Sequence, residues 1–380
     1  MMAVELRERA AAVAEAVAGG PPEKVADRCV IEALGAAGLI ADRWDRPDDL
    51  GGVVLIEELA HRGLPATAVV VSLHVESVMA MLRQFARPGL DPLVAGAQAG
   101  RHVGCVAASE PAGGSDLTAL ETKATPQPGG GWRIQGDKKF VTLGDQADFA
   151  VVLARLAGGS GSRNGNGNGT TGGLGAFVVP RAGYEVVRTH RLVAASPLAT
   201  SWIRLDATVA PDHLLGRPGL GLAVLNWGLT KERLAIAALV VGVCRLALTL
   251  AITHAVERRQ FGVRLFDHQV VRLRLAELDA ELAALRSDLT ALAVGPSRPR
   301  RIAGLKVTAA RFGERCVSEC MHVFGGDGYL EDASPLGRLW RDIRLARIGG
   351  GTDEMMLELA AAGLVPDLAL YRRHIPPPTD

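Results

Sequence analysis

The segment His322-Val323-Phe324-Gly325-Gly326-Asp327-Gly328-Tyr329 says more about the fold than any other stretch of this sequence. Arg338-Leu339-Trp340-Arg341-Asp342 follows it, and Gly351-Thr352-Asp353-Glu354 comes last. Glycines at this density let the backbone approach a ligand closely. A single glycine-rich turn would be a weak signal by itself, so its weight depends on motifs elsewhere in the chain.

Apolar periodicity divides the 380 residues into three parts. Residues 1–101 are predicted to be helical, 102–212 to form short strands between Gly, Pro and Asp turns, and 213–380 to form long amphipathic helices. We therefore predict an α+β fold with an N-terminal helical domain, a middle β domain and a C-terminal four-helix bundle. The expected helices are 4–18, 25–37, 52–63, 66–85, 222–258, 269–294, 301–324 and one after Thr352, and the expected strands are 103–108, 132–141, 150–156, 175–179 and 201–205.

Composition excludes several classes of function. The formal charge is +1, from 42 basic and 41 acidic residues, which gives no electrostatic case for nucleic acid or an anionic membrane. The first 18 residues lack the apolar core of a signal peptide, and the apolar run 234–252 is interrupted by Arg245. We expect a cytoplasmic protein with no membrane span.

The five cysteines are an odd number in a long chain, which does not suggest a secreted disulfide framework. Cys316 and Cys320 have helical i, i+4 spacing, but no second pair with zinc-like spacing follows them. Core packing is the favoured interpretation, and we predict no metal site. The low-complexity segment 158–173 is expected to be a mobile surface loop, with a partner-docking arm as the alternative.

Two candidate cofactor segments lie in the predicted β domain. The first is Ala108-Ser109-Glu110-Pro111-Ala112-Gly113-Gly114-Ser115-Asp116, in which Gly114 favours close backbone approach while Ser109 and Ser115 supply hydroxyl groups. The second is Lys139-Phe140-Val141-Thr142. A plain turn between strands would explain the first segment alone.

A further candidate is Glu257-Arg258-Arg259-Gln260-Phe261-Gly262, followed by His268-Gln269. An arginine fork makes charge-assisted, bidentate bonds to phosphate, so Arg258 is suited to bind a phosphate group. The alternative is that Arg258 only solvates the end of a helix.

Together these motifs resemble those of the acyl-CoA dehydrogenase flavoprotein family, over roughly residues 100–365. The resemblance implies an FAD enzyme that oxidises an acyl thioester across its α and β carbons. It also implies that motifs around Arg258 and His322 complete the FAD site of a neighbouring subunit, in a homotetramer or homodimer. The positions that it implies for cofactor binding are Ser109, Gly114, Ser115, Phe140, Thr142, Arg258, Phe261, Gln269, His322, Gly325, Gly326, Thr352 and Glu354.

The catalytic carboxylate requires a choice between two positions. Many members of the family carry it at the position matched by Gly350, where this chain has none. A subgroup resembling isovaleryl- and long-chain acyl-CoA dehydrogenases carries it on a helix, at the position matched by Glu232. We therefore predict that Glu232 is the base, raised in pKa by an apolar helix start, and that the Gly350 N–H donates to the thioester oxygen. The alternative is that Glu232 pairs with its neighbours Lys231 and Arg233.

Three functions remain open from the sequence. The first is an acyl-CoA dehydrogenase that passes electrons to an electron-transferring flavoprotein. The second is a relative acting on an acyl or aminoacyl group tethered to a carrier protein, with oxygen as a possible acceptor, suggested by a shortened segment 42–50. The third is a catalytically silent FAD-binding subunit, suggested by the missing carboxylate at Gly350. Small residues at Gly349 and Gly350 favour a branched or bulky acyl group.

Overall fold

A computed structural model of the protein describes residues 2–19, 28–157, 173–195 and 198–375. Helices come first, then strands, then helices again, as the periodicity predicts. Most of the glycine-rich segment predicted to be a surface loop, residues 158–172, lies outside the described residues. The first helices are α1 Met2–Ala18, α2 Arg28–Ala36, α3 Leu39–Trp44, α4 Leu50–His61, α5 Pro65–Val71, the π-helix Ser72–Val78, α6 Met79–Phe85 and α7 Asp91–Gln98.

The middle of the chain forms one sheet in the order β6-β7-β3-β2-β4-β5-β8, with β1 parallel to β4. Its longest pair is antiparallel and joins β3 to β7, whose inner residues alternate with exposed ones. Strands β2 and β6 were missed in the sequence because both are short or mostly exposed. The strands are β1 Gly104–Ala107, β2 Lys123–Pro126, β3 Trp132–Thr142, β4 Phe149–Leu156, β5 Leu174–Pro180, β6 Tyr184–Arg191, β7 Ala199–Val209 and β8 Leu214–Leu215.

The C-terminal part is a helix bundle built from three long helices and a short fourth one, α12, which packs on α10. The helix α8 packs against α4, α9 and α10, and this position explains why it is apolar on nearly every face. A small hairpin, β9 Arg259–Gln260 and β10 Val263–Arg264, joins α8 to α9. The helices are α8 Gly221–Glu257, α9 Gln269–Val294, α10 Pro299–Val323, α11 Leu336–Asp342, α12 Asp353–Ala361 and α13 Leu368–His374.

The changes from helix to strand and back fall between α7 and β1 and between β8 and α8. The domain boundaries at 101/102 and 212/213 remain predictions. Two helical stretches, Pro65–Phe85 and Gly221–Glu257, are long and apolar enough to cross a membrane, but 89% and 72% of their most apolar windows are buried inside the protein. That burial is typical of core helices.

The two cysteines with helical spacing, Cys316 and Cys320, are fully buried in the core on α10. Cys244 of α8 is buried there too. Within the described ranges, no group of three or more His, Cys, Asp or Glu side chains is arranged to hold a metal ion.

Candidate functional site

Glu232 is the twelfth of the 37 residues of α8, whereas the sequence suggested a position at the start of a helix. Gly228, one turn before it, allows close approach of the π-helix, since a Cβ there would lie 2.7 Å from the Ser77 carbonyl oxygen. Glu232 is therefore enclosed by neighbouring elements, and only 7% of it is exposed. Tertiary packing, rather than local apolar sequence, buries this carboxylate.

The glycine loop, residues 349–352, lies directly against Glu232, although 118 positions separate Gly350 from it in the sequence. A Cβ built on Gly350 would lie 3.8 Å from Glu232 Oε1 and 3.0 Å from Ile236 Cδ1. Gly350 also has a backbone φ of +66°, which residues other than glycine rarely adopt. The structure thus brings the two predicted catalytic positions together, and its backbone disfavours any side chain at 350.

The cations beside Glu232 in sequence do not pair with it. Lys231 Nζ donates to both carboxylate oxygens of Asp49, at 2.9 and 2.7 Å. Arg233 donates from Nε to the Gly350 carbonyl oxygen at 2.8 Å and from Nη1 to Asn226 Oδ1 at 2.8 Å. The sequence left open that Glu232 forms an ion pair with Lys231 or Arg233. The structure shows that these two cations bond to other residues instead.

The buried carboxylate of Glu232 has few hydrogen-bond donors to stabilise its negative charge. Its Oε2 atom is buried and has no hydrogen-bond partner among the described residues. Burial raises the pKa of Glu232 to about 7, while the Ser77 hydroxyl and the charges of Arg233 and Lys306 act in the opposite direction. A carboxyl group with this pKa can accept and release a proton near neutral pH.

Two residues of this site were not among the predicted positions. Ser77 is completely buried on the π-helix, and its hydroxyl faces the Glu232 carboxylate, whose pKa it lowers. Lys306 on α10 is also completely buried and donates to the Gly351 carbonyl oxygen at 2.6 Å. The sequence did contain a signal for Lys306. It is one of only six lysines in the chain, and it stands between the apolar residues Leu305 and Val307.

A second group of predicted residues meets on the β domain. The Lys139 N–H donates to the Ser109 carbonyl oxygen at 3.0 Å and so joins the two β-domain motifs. Gly114 lies close to Ser109, since a Cβ on it would lie 2.8 Å from Ser109 Oγ, and Ser115 is exposed beside it. Phe140 is 62% exposed and has a φ of +61° at an irregularity in β3. An exposed aromatic ring held in this strained backbone is suited to cover a flat ligand.

Thr142 lies beside Thr200 in the ladder between β3 and β7. The Thr200 Oγ1 atom is buried and has no hydrogen-bond partner within the described residues. An unpartnered hydroxyl next to Thr142, an exposed ring at Phe140 and an exposed glycine-serine loop fit a flavin, which offers a flat ring with polar edges.

A third group of predicted residues lies at the C-terminal end of α8 and in the hairpin that follows it. Arg258 follows the last residue of α8, is exposed, and has no ion-pair partner in the described chain. Phe261 and Gly262 form the hairpin turn with φ of +53° and +82°, which leaves the Phe261 ring 94% exposed. Gln269 begins α9 and is exposed.

The end of α10 joins this third group. His254 of α8 stacks on Phe324 with ring centroids 4.1 Å apart. This contact places the end of α8 beside His322, Gly325 and Gly326, all three of which are exposed. No hydrogen bond or ion pair among the described residues connects these positions to the β-domain group.

The last two predicted positions begin α12. Thr352 is the N-cap residue, and its Oγ1 accepts from the Met355 N–H at 3.5 Å. Glu354 is exposed in the first turn, and hydrogen bonds at the helix N-terminus lower its pKa. Both residues have a structural role in the single chain besides the one that the resemblance implies.

Two family models match the chain: the acyl-CoA dehydrogenase middle domain over residues 105–208 and the acyl-CoA dehydrogenase C-terminal domain over residues 219–365. The chain belongs to the acyl-CoA dehydrogenase family. It is an oxidoreductase that acts on CH–CH groups of acyl thioesters and, like its family, binds FAD. The expected fold and cofactor are thereby confirmed.

Similar proteins include the acyl-[acyl-carrier-protein] dehydrogenase MbtN of Mycobacterium sp. (strain MCS), 42% identical over 93% of this chain and 90% of that protein. The human mitochondrial short-chain specific acyl-CoA dehydrogenase is 27% identical over 88% of this chain and 82% of its own length. Butyryl-CoA dehydrogenase from Megasphaera elsdenii has the same fold, with a TM-score of 0.87, 24% identity and coverage of 96% and 98%.

Proposed function

We propose that Glu232 is the base that removes the α proton of an acyl thioester in this enzyme. The observation that supports this assignment is its buried, unpartnered Oε2 atom beside the glycine loop. An unpaired carboxylate in a buried position is destabilising, so proteins rarely retain one without a use for it. The same observation argues against a silent FAD-binding subunit.

The reaction then divides between the residues as follows. The Glu232 carboxylate accepts the α proton, and the electron pair of the broken C–H bond moves toward the thioester oxygen. The Gly350 N–H, which has no hydrogen-bond acceptor in the described part of the chain, donates to that oxygen and stabilises its negative charge. Bound FAD supplies the acceptor for the hydride from the β carbon. The β-domain group around Phe140 and Thr142 would hold the flavin ring, and the pyrophosphate would meet Arg258 of a neighbouring subunit.

The acyl group is proposed to arrive on a carrier protein. This choice is supported by the 42% identity to proteins named acyl-[acyl-carrier-protein] dehydrogenase, over nearly their whole length. The second candidate is acyl-CoA, since other relatives are named for it. Anaerobic mixing of the purified holoenzyme with the same acyl group on each carrier separates the two: the preferred thioester bleaches the flavin, and equal bleaching by acyl-CoA would contradict the proposal.

The acyl group itself is proposed to be branched or bulky. Gly349 and Gly350 place no side chain next to Ile236, whose Cδ1 lies 3.8 and 3.0 Å from the Cβ positions that larger residues would occupy. No side chain from either position therefore limits the space beside Glu232. Comparing kcat/KM for branched and straight acyl thioesters on one carrier tests this, and a clear preference for butyryl would overturn it.

The assembly, the location, the domain boundaries and the electron acceptor are proposed from the likeness to the family. We propose a homotetramer or homodimer in the cytoplasm, with the boundaries 101/102 and 212/213 between its three domains. Electrons are proposed to leave to an electron-transferring flavoprotein or to oxygen. Oxygen consumption during turnover, with and without an added electron-transferring flavoprotein, distinguishes the two acceptors.

A further inference from the structure

Two buried cations hold consecutive carbonyl groups of the glycine loop. Arg233 from α8 donates to the Gly350 oxygen at 2.8 Å, and Lys306 from α10 donates to the Gly351 oxygen at 2.6 Å. Both glycines have positive φ, +66° and +112°. Glycine has more accessible backbone conformations than any other residue, so this loop needs outside contacts to stay in one of them.

Lys306 is an unusual choice for such a contact. Its side chain is completely buried, and burial lowers the pKa of Lys306 to about 8. A lysine is rarely buried without a carboxylate partner, because removing the ammonium group from water is costly. Its one hydrogen bond in the described chain goes to a neutral carbonyl oxygen. A purely structural contact to that carbonyl could be made by a neutral donor at lower cost.

We propose that Lys306 is a positioning residue for the proton transfer assigned to Glu232. Its hydrogen bond fixes the glycine loop beside the Glu232 carboxylate, and its ammonium charge favours the ionised form of that carboxylate. This inference rests on the proposed function of Glu232. Lys306 does not touch the reacting atoms and acts through the loop and through the electric field.

The groups that face Glu232 come from three elements. They are Ser77 on the π-helix, Arg233 on α8 and Lys306 on α10, and all three lower the pKa of Glu232 against the effect of burial. Lys306 itself faces Asp353 and Glu232, which favour its charge, and Arg233 and Arg347, which oppose it. Arg233 already has two acceptors, so Lys306 is the cation whose charge is least satisfied by hydrogen bonds.

The test is the pH dependence of kcat/KM for Lys306→Met, which removes the charge and keeps the approximate shape. The acidic limb should move to higher pH, because the Lys306 charge favours the ionised form of the Glu232 carboxylate. At pH 7 the smaller ionised fraction should lower kcat/KM, and the loosened loop should lower kcat further. Arg311→Met is the matched control, because it removes an exposed cation that faces Asp353 from the same helix.

Lys306→Gln separates the two effects, since an amide can still donate to the Gly351 oxygen but carries no charge. It should shift the acidic limb with a smaller loss in kcat, and it replaces Lys306→Met if that variant does not fold. An acidic limb that coincides with the wild type in both variants overturns the inference and leaves Glu232 as the base. If Glu232→Gln retains full turnover, the proposed function fails as well.

Discussion

Two of the buried glutamates have opposite surroundings, Glu110 in the β domain and Glu232 in the bundle. Glu110 accepts from the Glu121 N–H at 2.7 Å, the Thr122 N–H at 3.0 Å and Lys138 Nζ at 2.8 Å. Although burial acts to raise the pKa of Glu110, these bonds lower it below its ordinary value. Glu232 lacks a partner at Oε2, and its pKa rises to about 7.

The comparison shows that burial alone does not make a carboxylate reactive. Hydrogen-bond donors decide the outcome, because they stabilise the ionised form that burial disfavours. Glu110 is expected to contribute to stability and Glu232 to activity. Substitutions that preserve shape and remove charge at each position can separate the two roles.

The largest effect should come from Glu232→Gln. Loss of the base is expected to lower turnover about a thousandfold, within the range known for general bases. The same change should raise stability at pH 8 by about 3 kcal/mol, because ionising a group with a raised pKa destabilises the folded wild type. Steady-state kinetics and urea unfolding measure the two effects. Lower stability together with unchanged turnover would reverse the assignment.

Glu110→Gln should show the opposite pattern. It leaves the buried Lys138 ammonium without its carboxylate, and breaking a buried pair costs about 3–5 kcal/mol. We expect a large fall in the urea midpoint. Turnover per molecule of folded, FAD-loaded enzyme should change far less than in Glu232→Gln. A variant as stable as the wild type would contradict this assignment.

The two carboxylates should also differ in their dependence on pH. Because the folded pKa of Glu232 is raised, kcat/KM should increase with pH through about 7 and then level off. The folded pKa of Glu110 is lowered, so its stabilising contribution is present above its unfolded pKa and is lost as pH falls through the folded pKa. A pH profile of kcat/KM beside urea unfolding at each pH measures both. An acidic limb near pH 4 to 5 would mean that Glu232 is not the group observed.

Gly350→Ala gives the smallest of the expected effects. The positive φ of Gly350 and the 3.0 Å approach of Ile236 Cδ1 predict a destabilisation of about 1–2 kcal/mol. Gly304→Ala on α10 is the matched control, since its Cβ would meet nothing within 4 Å and helical Gly-to-Ala changes are favourable. Thermal melting of the two variants measures the difference. Equal melting temperatures would show that the loop adapts at no cost.

The sequence predicted the order of the elements and many of their bounds. The helix expected at 269–294 matches α9 Gln269–Val294, and the strand expected at 132–141 matches β3 Trp132–Thr142 within one residue. Strong periodicity makes such elements recognisable. The helix α3 was missed because its six residues carry too little periodic signal, and β6 was missed because most of its residues are not buried.

The candidate site was predictable only in part. Motifs pointed to Glu232 and Gly350, but local sequence suggested that Glu232 could pair with Lys231 or Arg233. Those cations bond instead to Asp49 and to Gly350, which are far away in the sequence. Ser77 and Lys306 come from distant helices as well. Which partner a buried charge finds is a tertiary property that neighbouring residues do not reveal.

The most direct test of Glu232 isolates proton removal from hydride loss. An acyl thioester whose β carbon is replaced by sulfur cannot give up a hydride, yet its α protons remain acidic. Mass spectrometry in deuterium oxide then reports α exchange on the holoenzyme. The account predicts exchange with the wild type and almost none with Glu232→Gln, although the variant still binds the analogue. Exchange at the wild-type rate in Glu232→Gln would contradict it.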